Sequence, residues 1–135
     1  MNHFLIVAAG GAIGAGLRHL VGLGALRFLG SAFPAGTMTV NIAGSFLMGA
    51  LVAWLALKAD IAGWPGMVFG SGQNMRLFLA TGLLGGFTTF SAFSLDALLL
   101  WERGETTMAA FYVVGSVVLS LAGLFAGLAF VRALV

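Results

Sequence analysis

Residues 82–94, GLLGGFTTFSAFS, put paired glycines, paired threonines and two serines inside a stretch otherwise apolar enough to cross a bilayer as a plain helix. Paired glycines and β-branched threonines weaken a helix, and an unwound turn releases main-chain polar groups. A bilayer core holds no water for them, so protein, an ion or a water-filled cavity must take them up. Interrupted helices of this kind mark the ion or substrate sites of membrane transport proteins.

The rest of the chain fits that setting. Of its 135 residues 61% are apolar and only 7% charged, against about 25% charged in soluble domains, and its mean hydropathy is +1.11. A bilayer core needs roughly 20 helical residues. The sequence divides into four such stretches, about 3–29, 36–58, 74–100 and 106–132, which predicts an all-α integral membrane protein made of a single four-span domain, 1–135. The joints are Ser31-Ala32-Phe33-Pro34, then Asp60 to Gln73 with Pro65, then Glu102-Arg103-Gly104-Glu105. Met1-Asn2-His3 is no positive n-region, so the first span is expected to be retained. The absence of cysteine excludes disulfides and thiolate sites. A net charge of +2 without a basic run gives no sign of nucleic-acid binding.

With four spans, both termini and the central loop share one side, which collects Lys58, Arg76 and Arg132; the other side collects Arg27 and Arg103. Orientation follows the Lys/Arg excess on the cytoplasmic side, and three against two is a weak excess. Such a chain is expected to insert both ways and to pair as an antiparallel, dual-topology homodimer; the alternative is one orientation picked by lipid or translocon. Helix association in lipid depends on close backbone approach. Gly10-x3-Gly14, Gly82-x3-Gly86 and Gly123-x3-Gly127 supply it. Trp54, Trp64 and Trp101 sit near span ends, where indoles prefer the interface.

Polar residues inside spans are costly and point to function. Thr37, Asn41 and Ser45 recur every fourth residue on one face of the second span, and Tyr112, Ser116 and Ser120 do so on the fourth. One such stripe is ordinarily structural, each hydroxyl bonding back to the preceding turn; two, one of them holding an amide, favour a polar pathway. Hydroxyls and amides both donate and accept, so the stripes alone do not choose between anion and cation. Phe90 and Phe93 share a side of the third span, where inward ring edges favour an anion and faces a cation. Arg18 is the only basic residue well inside a span, either snorkelling or raising anion concentration at a vestibule. His19 has no second ligand beside it, and Asp96 is the one acidic residue deep in a span. Carbonyls exposed at Gly85-Gly86-Phe87-Thr88-Thr89 suit a hard cation, which two copies meeting on a two-fold axis could share.

The joint pattern Gly10-Gly11-x2-Gly14-x3-Arg18, Gly36-Thr37-x3-Asn41-x2-Gly44-Ser45, Gly85-Gly86-Phe87-Thr88-Thr89-Phe90-Ser91-x-Phe93-Ser94 and Tyr112-x3-Ser116-x3-Ser120 resembles the Fluc (CrcB) fluoride channels across all four spans. The resemblance implies a passive fluoride-selective channel of the plasma (inner) membrane, exporting fluoride through two pores per antiparallel homodimer. It implies a pore lined by Asn41, Phe90 and Phe93, with Thr37, Ser91, Tyr112, Ser116 and Ser120 on the polar track and Arg18 at the vestibule. It also implies a structural Na+ at the dimer centre, held by the main-chain carbonyls of Gly85 and Thr88. Ala92 departs from the usual threonine of the family motif and removes one hydroxyl.

Three rivals remain from the residues themselves. A small dual-topology proton-coupled multidrug exporter needs a membrane carboxylate to trade protons, and the first two spans contain none. A scaffold subunit would leave the polar stripes without purpose. An enzyme would need a nucleophile with its base or a metal cluster, and neither is visible.

Overall fold

The computed structural model describes residues 2–61 and 71–134, and among them all regular structure is helical. Helix α1 (Asn2–Leu29) ends at Gly30, whose φ of +77° is the left-handed conformation that stops a helix without steric cost. Pro34 then precedes α2 (Ala35–Ile61) and offers its carbonyl to Met38 N–H at 3.2 Å. The third span has two pieces. The first, α3, begins as an α-helix (Ser71–Arg76), widens into a π-helix (Leu77–Leu84) and closes with an α turn (Gly85–Phe87). The second is α4 (Phe90–Glu102). A tight turn at Gly104, also at φ +77°, leads into α5 (Thr106–Ala133).

Four segments are long and apolar enough to cross a membrane: His3–Leu29, Ala35–Leu57, Gln73–Glu102 and Thr106–Ala133. The protein is therefore a multi-pass membrane protein, as its hydropathy predicts. Of the central joint expected from Asp60 to Gln73, residues 62–70, with Trp64 and Pro65, lie outside the described residues, while Asp60 and Ile61 continue α2 and Ser71 to Gln73 open α3.

The glycines bring backbones into contact. A Cβ on Gly127 of α5 would overlap the Phe46 carbonyl of α2, and one on Gly49 of α2 would overlap the Leu124 carbonyl of α5. The α2–α5 interface is the most extensive in the molecule. Across α1 and α3, a Cβ on Gly86 would lie 2.6 Å from the Gly11 carbonyl oxygen, and one on Gly82 2.9 Å from that of Val7. Small residues at these contacts replace the hydrophobic drive that lipid cannot provide.

The break in the third span is narrower than the glycine pair suggests. Gly85 is helical, at φ −63° and ψ −36°. Only Thr88 (φ −82°, ψ 158°) and Thr89 (φ −154°, ψ 123°) are extended. Gly86 is spent on the approach to α1, while β-branched threonines are the residues that favour extended backbone. The π-helical stretch just before the break was not legible in the pattern; such stretches occur frequently at functional sites.

Candidate functional site

The extended pair Thr88-Thr89 is served by two other helices. Asn41 of α2 donates from Nδ2 to the Thr89 carbonyl at 3.0 Å and accepts the Thr89 N–H on Oδ1 at 2.8 Å. Arg18 of α1 donates from Nη1 to the Thr88 carbonyl at 3.3 Å. Thr88 N–H and Thr88 Oγ1 both donate to the Leu84 carbonyl at 3.0 Å. The Thr89 hydroxyl caps α4 by accepting Ala92 N–H at 3.2 Å and contacts Ser91 Oγ at the same distance. Such a cap satisfies one of the donors that the first turn of a helix leaves free.

Beside this junction lies an open groove of about 400 Å³, with Asn41, Thr89, Phe90, Phe93, Ser116 and Ser120 on its wall. Ser45 and Thr88 also border it, among apolar residues such as Met48 and Leu124. The two polar stripes thus converge: Asn41 and Ser45 from α2 face Ser116 and Ser120 from α5. Two described side-chain atoms are buried without a hydrogen-bond partner, Glu105 Oε2 and Ser116 Oγ, and Ser116, only 3% exposed, is the one beside this groove. A buried hydroxyl that has lost water and found no partner costs about 1–3 kcal/mol, so this one is an unspent donor beside the groove. Phe90 and Phe93 stand with ring centroids 5.4 Å apart at 40°. Phe93 is buried, whereas Phe90 is 77% exposed on the single chain.

Thr37 and Tyr112 do not border the groove. Tyr112 is fully buried and stacks against Phe93, its centroid 5.4 Å away, with the Phe33 ring edge-on at 5.7 Å. Its hydroxyl donates to Asp96 Oδ2 at 3.3 Å. Ser91 is exposed and turned to Thr89. Arg18 is engaged with the break itself.

The break also releases carbonyls. A continuous helix would give the Thr89 N–H to the Gly85 carbonyl, four residues back; here it goes to Asn41. Gly85 is exposed on the single chain. A carbonyl oxygen without a strong donor suits a hard cation; the Gly85 carbonyl meets that condition better than that of Thr88, which already accepts from the Arg18 guanidinium. No cluster of three or more His, Cys, Asp or Glu side chains forms a metal site among the described residues.

Thr89 is the residue that sequence reasoning passed over. It carries the Asn41 bonds, the α4 cap and part of the groove wall. A threonine directly before an apolar helical run is a helix-start signal, and that signal was present in Thr89-Phe90-Ser91-Ala92.

Comparison with known proteins identifies the family. The model of the family "CrcB-like protein, Camphor Resistance (CrcB)" matches residues 5–128. The chain is 52% identical over 135 residues to "Fluoride-specific ion channel FluC" of Rhizobium meliloti (strain 1021), covering all of both chains. It is 56% identical over 128 residues to the protein of that name from Hyphomonas neptunium, covering 95% of this chain and 94% of the relative. With the namesake from Rhodopseudomonas palustris (strain BisB5) it shares 51% over 131 residues, 97% of this chain and 98% of the relative. A match of this extent, on a four-span fold with the motif residues gathered at one groove and one helix break, means that the chain belongs to the CrcB family.

Proposed function

We propose that this protein is a passive fluoride-selective channel, with the groove between α2, α4 and α5 as one wall of the ion path. The observation that carries the reading is the buried, partnerless Ser116 hydroxyl, set among Asn41, Ser120, Phe90 and Phe93. The relatives named above bear fluoride-specific names, and the donor chemistry agrees with them.

Moving a small ion into a low-dielectric interior costs on the order of 20 kcal/mol in the idealised Born limit, so a conducting path must replace water with several close donors. It must also hold the ion weakly enough to release it. Hydroxyls, one amide N–H and the positive edges of two rings meet both demands, and a lysine in the same place would hold an anion too firmly. No proton carrier is needed. Asp96, the acidic residue that an exporter would use, accepts the Tyr112 hydroxyl instead.

The functional unit is a pair of chains inserted in opposite orientations in the plasma membrane, with one pore on each side of the pair. The open groove and the 77% exposed Phe90 support a second copy completing the path. At the two-fold axis the Gly85 and Thr88 carbonyls of both copies hold a structural Na+, which adds charge that keeps four carbonyl dipoles together.

Fluoride efflux from liposomes containing only the purified protein tests the reading. A potassium ionophore alone should release the fluoride load, with chloride passing far more slowly. Equal fluoride and chloride fluxes, or a requirement for a proton gradient, would overturn it.

A further inference from the structure

A break inside a membrane must account for each main-chain polar group it frees. Thr88 and Thr89 present four: two N–H and two carbonyls. One, the Thr88 N–H, is bonded within its own helix, to Leu84. The other three go to side chains, the Thr89 N–H and carbonyl to Asn41 and the Thr88 carbonyl to Arg18. We propose that Asn41 and Arg18 are positioning residues: a clasp from α2 and α1 that substitutes for the missing helix bonds and holds the break open before any ion or second copy arrives. The proposal builds on the reading of the groove as the fluoride path, because Thr89 and Phe90 on its wall are placed by the clasp.

The Asn41 amide copies what a paired strand would do, giving one donor and one acceptor to the same residue. An extended Thr89 presents its N–H and carbonyl together, and only an Asn or Gln side chain offers both groups in a fixed neutral plane. Asn reaches from α2 because Gly44, one turn further along that helix, lets Thr88 come close: a Cβ at Gly44 would overlap the Thr88 Cγ2 methyl. The amide has two N–H groups and an oxygen with two lone pairs. The clasp uses one donor and one lone pair, which leaves one N–H free for an anion in the groove. Asn41 therefore serves both as wall and as scaffold, and the scaffold role is separable by experiment. Arg18 suits the Thr88 carbonyl because its long side chain carries a planar fork of several N–H donors across from α1.

The test follows single amides rather than flux. Protein labelled with 15N only at threonine, in detergent micelles, reports the exchange of Thr39, Thr81 and Thr89 separately. In the native protein Thr89 N–H should exchange as slowly as the helical Thr39 amide in the second turn of α2, although it is in extended backbone on the wall of an open groove; fast exchange there overturns the proposal without any mutant. Asn41→Leu, which removes both bonds, should speed Thr89 at least tenfold while Thr39 and Thr81 keep their native rates. Unchanged Thr89 exchange in that variant also overturns it. Asn41→Asp, which retains the acceptor oxygen, should keep Thr89 slow even as conduction falls. Equal loss of Thr89 protection in the Asp and Leu variants counts against the clasp. Failure of the fluoride reading would appear in flux and leave these rates untouched.

Discussion

The Tyr112 hydroxyl donates to Asp96 Oδ2 at 3.3 Å, tying α5 to α4 just beyond the break. Tyr112 is wholly buried and its ring sits between Phe33 and Phe93. Tyr112→Phe keeps the ring packing but strands the Asp96 oxygen, at a cost of about 1–3 kcal/mol. Asp96→Asn in the same chain should recover part of that loss, because a neutral amide is less costly to leave unpaired. Thermal unfolding of the single and double variants in detergent measures the coupling directly. Additive losses would mean that the two residues do not support each other.

Phe90→Ile and Phe93→Ile should each slow fluoride efflux while leaving assembly intact, since apolar volume persists and the positive ring edge disappears. The exposed Phe90 should cost little stability, the buried Phe93 more. Losing a ring at the core position costs roughly 1–3 kcal/mol through imperfect repacking. Electrode-recorded efflux and melting of the same preparations separate the two effects. A Phe93→Ile protein that melts early yet conducts at the native rate would reduce that residue to packing.

Gly127→Ala should destabilise the protein by about 1–3 kcal/mol, because the new methyl overlaps a backbone carbonyl that cannot rotate away. Gly24→Ala, where nothing lies within 4 Å of the added carbon, is the matched control. It should be neutral or slightly stabilising, since alanine is the better helix former by about 0.8–1 kcal/mol. Comparing melting temperatures of the two variants decides whether helix contact or helix propensity governs this glycine-rich chain.

Four spans were legible because hydropathy sums over some 20 residues and is insensitive to detail. The convergence of Asn41 and Ser45 with Ser116 and Ser120 was half legible. Each stripe follows from helical periodicity, whereas their meeting depends on the α2–α5 glycine contact, which a periodic pattern does not encode. The break was placed in the third span over Gly85–Thr89, with the glycine pair and the threonine pair weighted alike, since both weaken a helix. What decides the matter is tertiary: Gly86 is needed as a helical contact for Gly11, so the extended residues fall at Thr88 and Thr89. The links from Thr89 to Asn41, 48 positions apart, and from Thr88 to Arg18, 70 apart, have no local signature in one sequence.

Arg18→Gln should raise the affinity of the proposed antiparallel pair for the proposed central Na+. The substitution keeps a polar side chain but removes a positive charge next to a proposed cation ligand. Loss of repulsion worth about 1.4 kcal/mol shifts the Na+ midpoint tenfold. The midpoint is read from melting temperature against Na+ concentration, with N-methyl-glucamine keeping ionic strength constant. An unchanged or higher midpoint would place the ion away from Thr88.

The remaining prediction concerns orientation. Lys58, Arg76 and Arg132 on one side against Arg27 and Arg103 on the other leave little preference, and orientation follows such counts near span ends. Two or three lysines appended to the carboxy-terminal tail should fix the chain in one orientation. A protein that works only as an antiparallel pair would then lose fluoride efflux, although each copy still folds and inserts. Co-expression with a copy biased the opposite way, by lysines placed in the Ser31–Pro34 joint, should restore it. The readout is fluoride tolerance of cells expressing one or both forms, with the location of each tail established by protease access. Full activity from the tail-charged form alone would require a parallel assembly. It would also take away the two-fold axis on which the Gly85 and Thr88 carbonyls of two copies could share a cation.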